Sequence, residues 1–305
     1  MSAKAYPGQE AIKEKGWLAA YKWLILRRAS QLIILLLFLL GPWFGVWIVK
    51  GNLTSSLILD VVPLSDPFIL LQSLIAGHVA ASTAIIGAAI VMGIYLLLGG
   101  RVYCSFVCPM NFVTDVSRWI AKRFDLPKGW KPARETRLWI LAAVMIAAFV
   151  TGVMAWEMLN PVTVLHRGLV YGLSYTWTVA LAIFIFDMVV SRRGWCGHLC
   201  PMGAFYGLIG SVSLLRVSAK RRTACNDCMD CFAVCPEPHV ITPALRGANT
   251  GTGPVILSGD CTNCGRCIDV CSKDVFEFDV RFNNAAPANE GRADTDAVST
   301  DRHAA

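Results

Sequence analysis

The chain has 305 residues, of which 55% are hydrophobic and only 16% charged; that balance excludes an ordinary soluble domain and points to a membrane protein. The net charge of +7 is spread over separate loops and gathers on no single soluble domain, so no nucleic acid is expected as a partner.

In chain order, residues 1–28 carry six Lys or Arg and form a cytoplasmic N-terminal segment. The apolar run that follows, about 29–49, is too long for a signal peptide and lacks a small-residue cleavage site, so it is expected to stay in the membrane. Three further runs, about 76–99, 138–158 and 169–190, are also long enough to cross a hydrocarbon core of ~30 Å. Eight basic residues lie between Arg101 and Arg137 and six between Arg192 and Arg222, against Lys50 and Arg167 alone in the two opposite loops. By the positive-inside rule both termini, the 100–137 loop and everything after 191 face the cytoplasm of a bacterial inner membrane. The tract 51–66, GNLTSSLILDVVPLSD, joins the first two spans outside, and its Gly, Ser and Pro argue against a helix. Beyond the second span, Phe112, Val113, Val116, Trp119, Ile120 and Phe124 recur at helical spacing opposite Arg118, Lys122 and Arg123. That pattern predicts a helix lying on the inner leaflet.

The second half repeats the first. CSFVCPM at 104–110 returns as CGHLCPM at 196–202, each three residues after an arginine (Arg101, Arg193) and each after two spans. Two halves pointing the same way predict a parallel repeat, which brings both C-x-x-x-C-P loops to one depth on one side of a membrane domain spanning 29–221. Proline pushes the residue before it out of the α region and favours a helix start, so Cys108 and Cys200 are expected as helix N-caps. The helix dipole and the nearby arginines are then expected to favour thiolate. Cys104, Cys108, Cys196 and Cys200 are therefore candidate thiols for a metal ion, a further cluster, or a dithiol redox pair. The competing reading is buried cysteine packing as a small hydrophobe. His198 in the second motif stands where the first has Phe106, so a symmetric site does not require it.

All twelve cysteines fall on the inferred cytoplasmic side, where thiols stay reduced, so they signify metal or redox chemistry and not a disulfide framework. Eight of them lie in a small module at 222–282, as CNDCMDCFAVCP from 225 and CTNCGRCIDVC from 261. Both read C-x-x-C-x-x-C-x-x-x-C, the spacing of bacterial two-cluster ferredoxins, in which three cysteines hold one cluster and the fourth reaches the other. Cys225, Cys228, Cys231 and Cys271 are assigned to one [4Fe-4S] cluster, and Cys261, Cys264, Cys267 and Cys235 to the second. Structural zinc would space its ligands as two separated C-x-x-C pairs. Ser272 replaces the proline that follows Cys235 in the first motif, which costs no ligand. A module this small is expected to depend on its clusters for stability. The tail, 283–305, is polar, Ala-rich and without periodicity, and is expected to be disordered.

The fold class expected is thus an α-helical membrane protein of four transmembrane helices in two parallel repeats, plus a cytoplasmic bacterial-type 2[4Fe-4S] ferredoxin module. Ionisable groups near the outer surface, His78, Glu157 and His166, are weak candidates for a quinol site, since quinol oxidation releases two protons; interface anchoring is the competing reading. Asp187 is expected at the inner interface beside Arg192. The sequence contains no C-x-x-C-H, so a c-type haem is not expected.

With four spans, duplicated C-x-x-x-C-P and a two-cluster ferredoxin in this order, residues 18–280 resemble the NapH family, most distinctively in GNLTSSL, GWCGHLCPMGAFYG, CMDCF and CPEPHV. The resemblance implies the membrane quinol dehydrogenase subunit of a periplasmic nitrate reductase system. It implies electron flow from the membrane quinone pool through iron–sulfur clusters, with a periplasmic iron–sulfur partner of NapG type and in some systems a NapC-type cytochrome. It carries over no quinol-binding residue. Two other functions share the same core. One is a metal (copper) reductase or oxidase-assembly factor, a type that carries an extra periplasmic C-terminal domain; the other is a non-catalytic membrane scaffold. The quinol reading leaves a mechanical demand: cytoplasmic clusters and a periplasmic acceptor are separated by ~30 Å of hydrocarbon. The quinol must shuttle, or the C-x-x-x-C-P site must form part of a relay within the bundle.

Overall fold

A computed structural model describes residues 6–284 apart from 125, 127, 128, 131, 173, 174 and 192; most of the tail expected to be disordered therefore lies outside the described residues. Two helices come first, α1 (Gln9–Lys15) and α2 (Trp17–Phe44), then three strands, β1 (Val49–Gly51), β2 (Ser55–Ile58) and β3 (Val62–Ser65). Helices α3 (Pro67–Ile75), α4 (Ser82–Leu98), α5 (Met110–Arg123), α6 (Thr136–Thr151), α7 (Ala155–Leu159), α8 (Pro161–Tyr171), α9 (Tyr175–Ile185) and α10 (Pro201–Val212) follow. The chain ends with β4 (Leu215–Ser218), α11 (Asp230–Val234), α12 (Ile241–Arg246), α13 (Arg266–Val270) and β5 (Glu277–Val280). It divides into two compact units, a smaller one of 1–24, 214–258 and 265–305, and a larger one of 25–213 and 259–264.

Among the described residues α2 is long and apolar enough to cross a membrane, while α4, α6 and Thr176–Val190 are shorter apolar helices. These fall on the four expected spans, with different ends. The first helix closes at Phe44 instead of 49, because Pro42 sits in its last turn and Gly45 follows at φ 73°; a left-handed glycine is a common helix stop. The second expected span turns helical only from Ser82, with His78 exposed in the non-helical stretch before it and its Nε2 3.0 Å from the Gly152 carbonyl. The third and fourth are split, into α6 and α7 and into α8 and α9, with α6 and α8 closing on the left-handed Gly152 and Gly172.

The tract after α2 is indeed not helical, but it is ordered, forming the antiparallel sheet β1-β2-β3. Strand β3 then runs directly against α4, where a side chain on Gly87 would stand 2.9 Å from the Ser65 amide and 3.0 Å from the Pro63 carbonyl. Only glycine lets the two backbones approach so closely. Asp66 caps α3, its Oδ1 accepting from the Phe68 amide at 2.8 Å, with Pro67 at the first helical position.

Helix α5 forms where its periodicity predicts, but beyond Met110 at its start the face it buries is small and mostly polar: Asn111, Thr114, Ser117 and Ala121. Phe112, Trp119 and Phe124 are exposed, an arrangement suited to lipid outside and close helix packing inside. The Asp115 carboxylate ties this helix to α2 and to the second cysteine loop by pairing with Arg27, Arg28 and Arg193. Arg27 is 2% exposed, so losing its partner leaves a buried charge uncompensated. Asp115→Asn is expected to destabilise the larger unit by roughly 3–5 kcal/mol, read as a lowered thermal midpoint of the detergent-purified protein; an unchanged midpoint would show the arginine cluster to be inconsequential.

In the smaller unit β4 and β5 pair antiparallel, and Arg216, fully buried, donates to the carbonyls of Ser258 and Leu257 at 3.2 Å each. Of the N-terminal segment, residues 6–24 belong to this unit, while Arg27 and Arg28 belong to the larger one. The Gly8 amide donates to Asp230 at 2.8 Å, and the amides of Trp23 and Leu24 to Asp269 at 3.1 and 3.0 Å.

Candidate functional site

The two C-x-x-x-C-P loops share one backbone. Each begins as a π-helical turn, Tyr103–Val107 and Trp195–Leu199, closed by the amides of Cys108 and Cys200 on the carbonyls of Tyr103 (3.0 Å) and Trp195 (2.9 Å). Both closing cysteines are extended, with ψ of 118° and 112°, as a following proline requires. A helix then starts at once in each half. Asp187, placed by sequence at an interface, is fully buried and accepts from the Trp195 amide at 2.9 Å, fastening the second loop. On the other side, a side chain on Gly100 would lie 2.1 Å from the Tyr206 carbonyl, so glycine admits α10 against the first loop.

The four thiols feel one another. Cys108 is raised by Cys104 and Cys200, and Cys196 by Cys108, Cys200 and Cys104. Cys104, Cys108 and Cys200 also pack on a single cluster with Tyr95, Tyr103 and Tyr206. By exposed area each thiol is only partly buried, yet dense protein around it makes burial the largest influence. Burial lifts Cys200 to about 12 and pushes the other three up. The expected thiolates are therefore not found in the protein alone. The predicted opposing effects exist but are smaller: the amides of Met110 and Asn111 favour a charged Cys108, those of Met202 and Gly203 a charged Cys200, and Arg101 a charged Cys104. Arg193 acts elsewhere, on Asp115.

Arg101, 3% exposed, also links the first loop to a ferredoxin motif. It donates to the Asp260 carbonyl at 2.9 Å and to the Cys196 carbonyl at 3.2 Å, and the Asp260 carboxylate pairs with Arg137. Ser105 Oγ donates to the Thr262 carbonyl at 2.8 Å and Asn263 Nδ2 to the Leu98 carbonyl at 3.0 Å. The segment bearing Cys261 and Cys264 is thus pinned directly to the C-x-x-x-C-P loop.

The two ferredoxin motifs repeat a backbone as well. Asp227 and Met229 in the first, Asn263 and Gly265 in the second, are all left-handed, with φ of 54°, 64°, 46° and 69°. Left-handed residues alternating with right-handed ones turn successive amides inward as an anion-binding nest, which suits the negative charge of a thiolate-ligated cluster. A five-residue helix follows in each, and Cys235 and Cys271 leave it extended. The Cys231 thiol is lifted to about 12, first by burial and then by Cys228, Cys271 and Cys225, so the four cysteines assigned to the first cluster lie in mutual range. Among the described residues no three His, Cys, Asp or Glu side chains are drawn tightly enough to grip a metal ion, and no cysteine is in a disulfide.

Of the weak quinol candidates, Glu157 sits among Thr54, Asn160 and Thr163, and His166, 5% exposed, meets Phe38 edge-on at 5.4 Å. His78 is exposed and meets the Gly152 carbonyl. Sequence reasoning missed Asp66, Tyr95, Tyr103 and Tyr206; an Asp-Pro step marks Asp66 as a helix cap but says nothing of its burial.

Paired nests, spaced cysteines and a duplicated thiol loop define an iron–sulfur protein of ferredoxin type. The 4Fe-4S dicluster domain family matches residues 224–275, and the 4Fe-4S binding domain family matches twice, at 81–127 and 173–222, which is the duplication read from the sequence. The chain is 52% identical over 278 residues (91% of it, 96% of the relative) to the methylamine utilization ferredoxin-type protein MauN of Methylorubrum extorquens. It is 53% identical over 251 residues (82% and 88%) to MauN of Paracoccus denitrificans, and 46% identical over 280 residues (92% and 96%) to the ferredoxin-type protein NapH of Escherichia coli. No solved structure matches. The chain belongs to the NapH/MauN family of ferredoxin-type electron-transfer proteins.

Proposed function

We propose that this protein oxidises quinol in the bacterial inner membrane and passes the electrons through two [4Fe-4S] clusters toward a periplasmic oxidoreductase. In this reading it is multi-pass with both termini and the ferredoxin module in the cytoplasm, and it acts with a NapG-type iron–sulfur subunit, a NapC-type cytochrome and a nitrate reductase. Cys225, Cys228, Cys231 and Cys271 hold one cluster and Cys261, Cys264, Cys267 and Cys235 the other; bound there, the clusters supply one-electron transfer. The observation that carries this reading is the pinning of the Cys261–Cys264 segment to the first C-x-x-x-C-P loop by Arg101, Ser105 and Asn263. Three hydrogen bonds joining a cluster loop to the first thiol loop and the residues just before it favour a relay over a scaffold.

The identities of 52% and 53% to methylamine utilization ferredoxin-type proteins favour a second physiological setting, in which the electron transfer serves methylamine utilization. Complementation separates the two: a strain lacking this gene should regain either periplasmic nitrate reduction or growth on methylamine. The shared core is tested by EPR during titration of the purified protein with quinol, where cluster signals should appear as quinol is added. Clusters that stay silent under quinol but respond to dithionite would reduce the protein to a scaffold.

A further inference from the structure

The larger unit contains a half-open cavity of about 230 Å³, walled by apolar groups such as Leu37, Phe38 and Val91 and lined on its polar side by Asp66, Tyr103 and Tyr206. Asp66 and Tyr103 are each 4% exposed and Tyr206 fully buried. Among the described residues Asp66 Oδ2 and both phenol oxygens nevertheless make no hydrogen bond of good geometry; the Tyr206 hydroxyl is near enough to Asp66 to lower its pKa as a weak donor. Leaving buried polar atoms unsatisfied is costly, and three around one cavity call for a ligand that satisfies them.

We infer that this cavity binds the ring of a lipid-soluble hydroquinone, with the Asp66 carboxylate accepting from one ring hydroxyl and the tyrosine hydroxyls facing the ring oxygens. The inference rests on the quinol reading above and adds its residues. Size fits: a cavity of about 150 Å³ takes benzene, so this one takes a substituted ring. Polarity fits, since an apolar slot with a few convergent polar groups is the usual form of a small-molecule site. Position fits as well, because β3 and the Asp66 cap bring non-helical backbone deep into the helices, and such backbone is tolerated at membrane depth only where protein buries it or it lines a cavity. Tyr103 stacks on Tyr206 at 5.0 Å and immediately precedes Cys104, so the ring site abuts the thiol site.

In the reaction both O–H bonds of the diol break and both C–O bonds become carbonyls. Two protons leave in turn through Asp66, which passes the first to water at the open side of the cavity before accepting the second, and two electrons pass singly to iron–sulfur acceptors. Burial raises Asp66 to about 7, and the charge of Glu157 adds to that; the other titratable groups facing it are Tyr95, Tyr103 and Tyr206. A carboxyl near neutrality suits a general base working near pH 7.

The test uses the full chain with its clusters and an azido-substituted short-chain ubiquinone as photolabel. Labelling should fall on peptides holding residues 49–66 and 103–107, and Leu37→Trp, which fills the cavity, should weaken binding at least about tenfold while leaving the dithionite-reduced EPR spectrum unchanged. Asp66→Asn, which can still cap α3, should bind the probe but lose about a hundredfold in quinol oxidation, along with the rise in rate as pH climbs through 7. Labelling confined to other peptides, or undiminished binding in Leu37→Trp, overturns this site and leaves the quinol reading standing. No saturable labelling of the wild-type protein overturns both.

Discussion

Replacing Cys225 by serine should abolish quinol-dependent electron delivery and remove roughly four irons per chain. The expected loss exceeds what one ligand's chemistry requires, for a structural reason. The smaller unit rests on short elements: a four-residue strand pair and helices of five, six and five residues. Buried apolar side chains such as Val217, Ile241, Val255, Ile256, Val275 and Phe276 form too small a core to hold such elements alone, and in domains of this size metal ligation is itself folding energy. The left-handed Met229 adds backbone strain of about 1–3 kcal/mol, which a cluster held by the surrounding amides would offset. Limited proteolysis should therefore cut Cys225→Ser within 214–258 while the larger unit stays resistant, and iron analysis should fall with it. A variant that keeps its iron and its protease resistance would refute the assignment of Cys225 as a ligand.

What the sequence made legible was what is local. Ligand spacing is set by one tight loop, so C-x-x-C-x-x-C pointed to the dicluster domain that matches residues 224–275 without any knowledge of the fold. Proline fixed Cys108 and Cys200 as extended for the same reason, whereas the π-helical turn shared by the two C-x-x-x-C-P-M loops appears only in the fold. Long-range packing was not legible. The tract 51–66 announced that it was not a helix, but its docking depends on Gly87, and its junction with the tyrosines on Tyr95, Tyr103 and Tyr206, far along the chain. Asp115 read as one acid on a basic helix, and only the fold shows three arginines converging on it. The thiol prediction failed because dipole and arginine are visible in sequence whereas burial is not, and burial is the larger effect on Cys108 and Cys200.

The same balance decides what the C-x-x-x-C-P site should hold. Four neutral thiols could pack as small hydrophobes, and their raised pKa values alone fit that reading. Packing does not explain why both halves use the same π-helical turn, nor why the amides of Met110 and Asn111 favour charge on Cys108 while those of Met202 and Gly203 do the same for Cys200. Amides directed at sulfur are the environment of a metal-bound thiolate, and the family that matches both halves is described as a 4Fe-4S binding domain. The wild-type protein should accordingly carry roughly twelve irons and twelve acid-labile sulfides per chain, of which Cys200→Ser should lose about four while the ferredoxin EPR signals persist. Because burial lifts Cys200 to about 12 and pushes the other three thiols up, each ligand must shed its proton on binding. Reconstitution of this third site should therefore tighten as pH rises and release protons to the medium. Eight irons in both wild type and Cys200→Ser, with no proton release on reconstitution, would instead leave four sulfurs that pack beside the quinol cavity and hold no cluster.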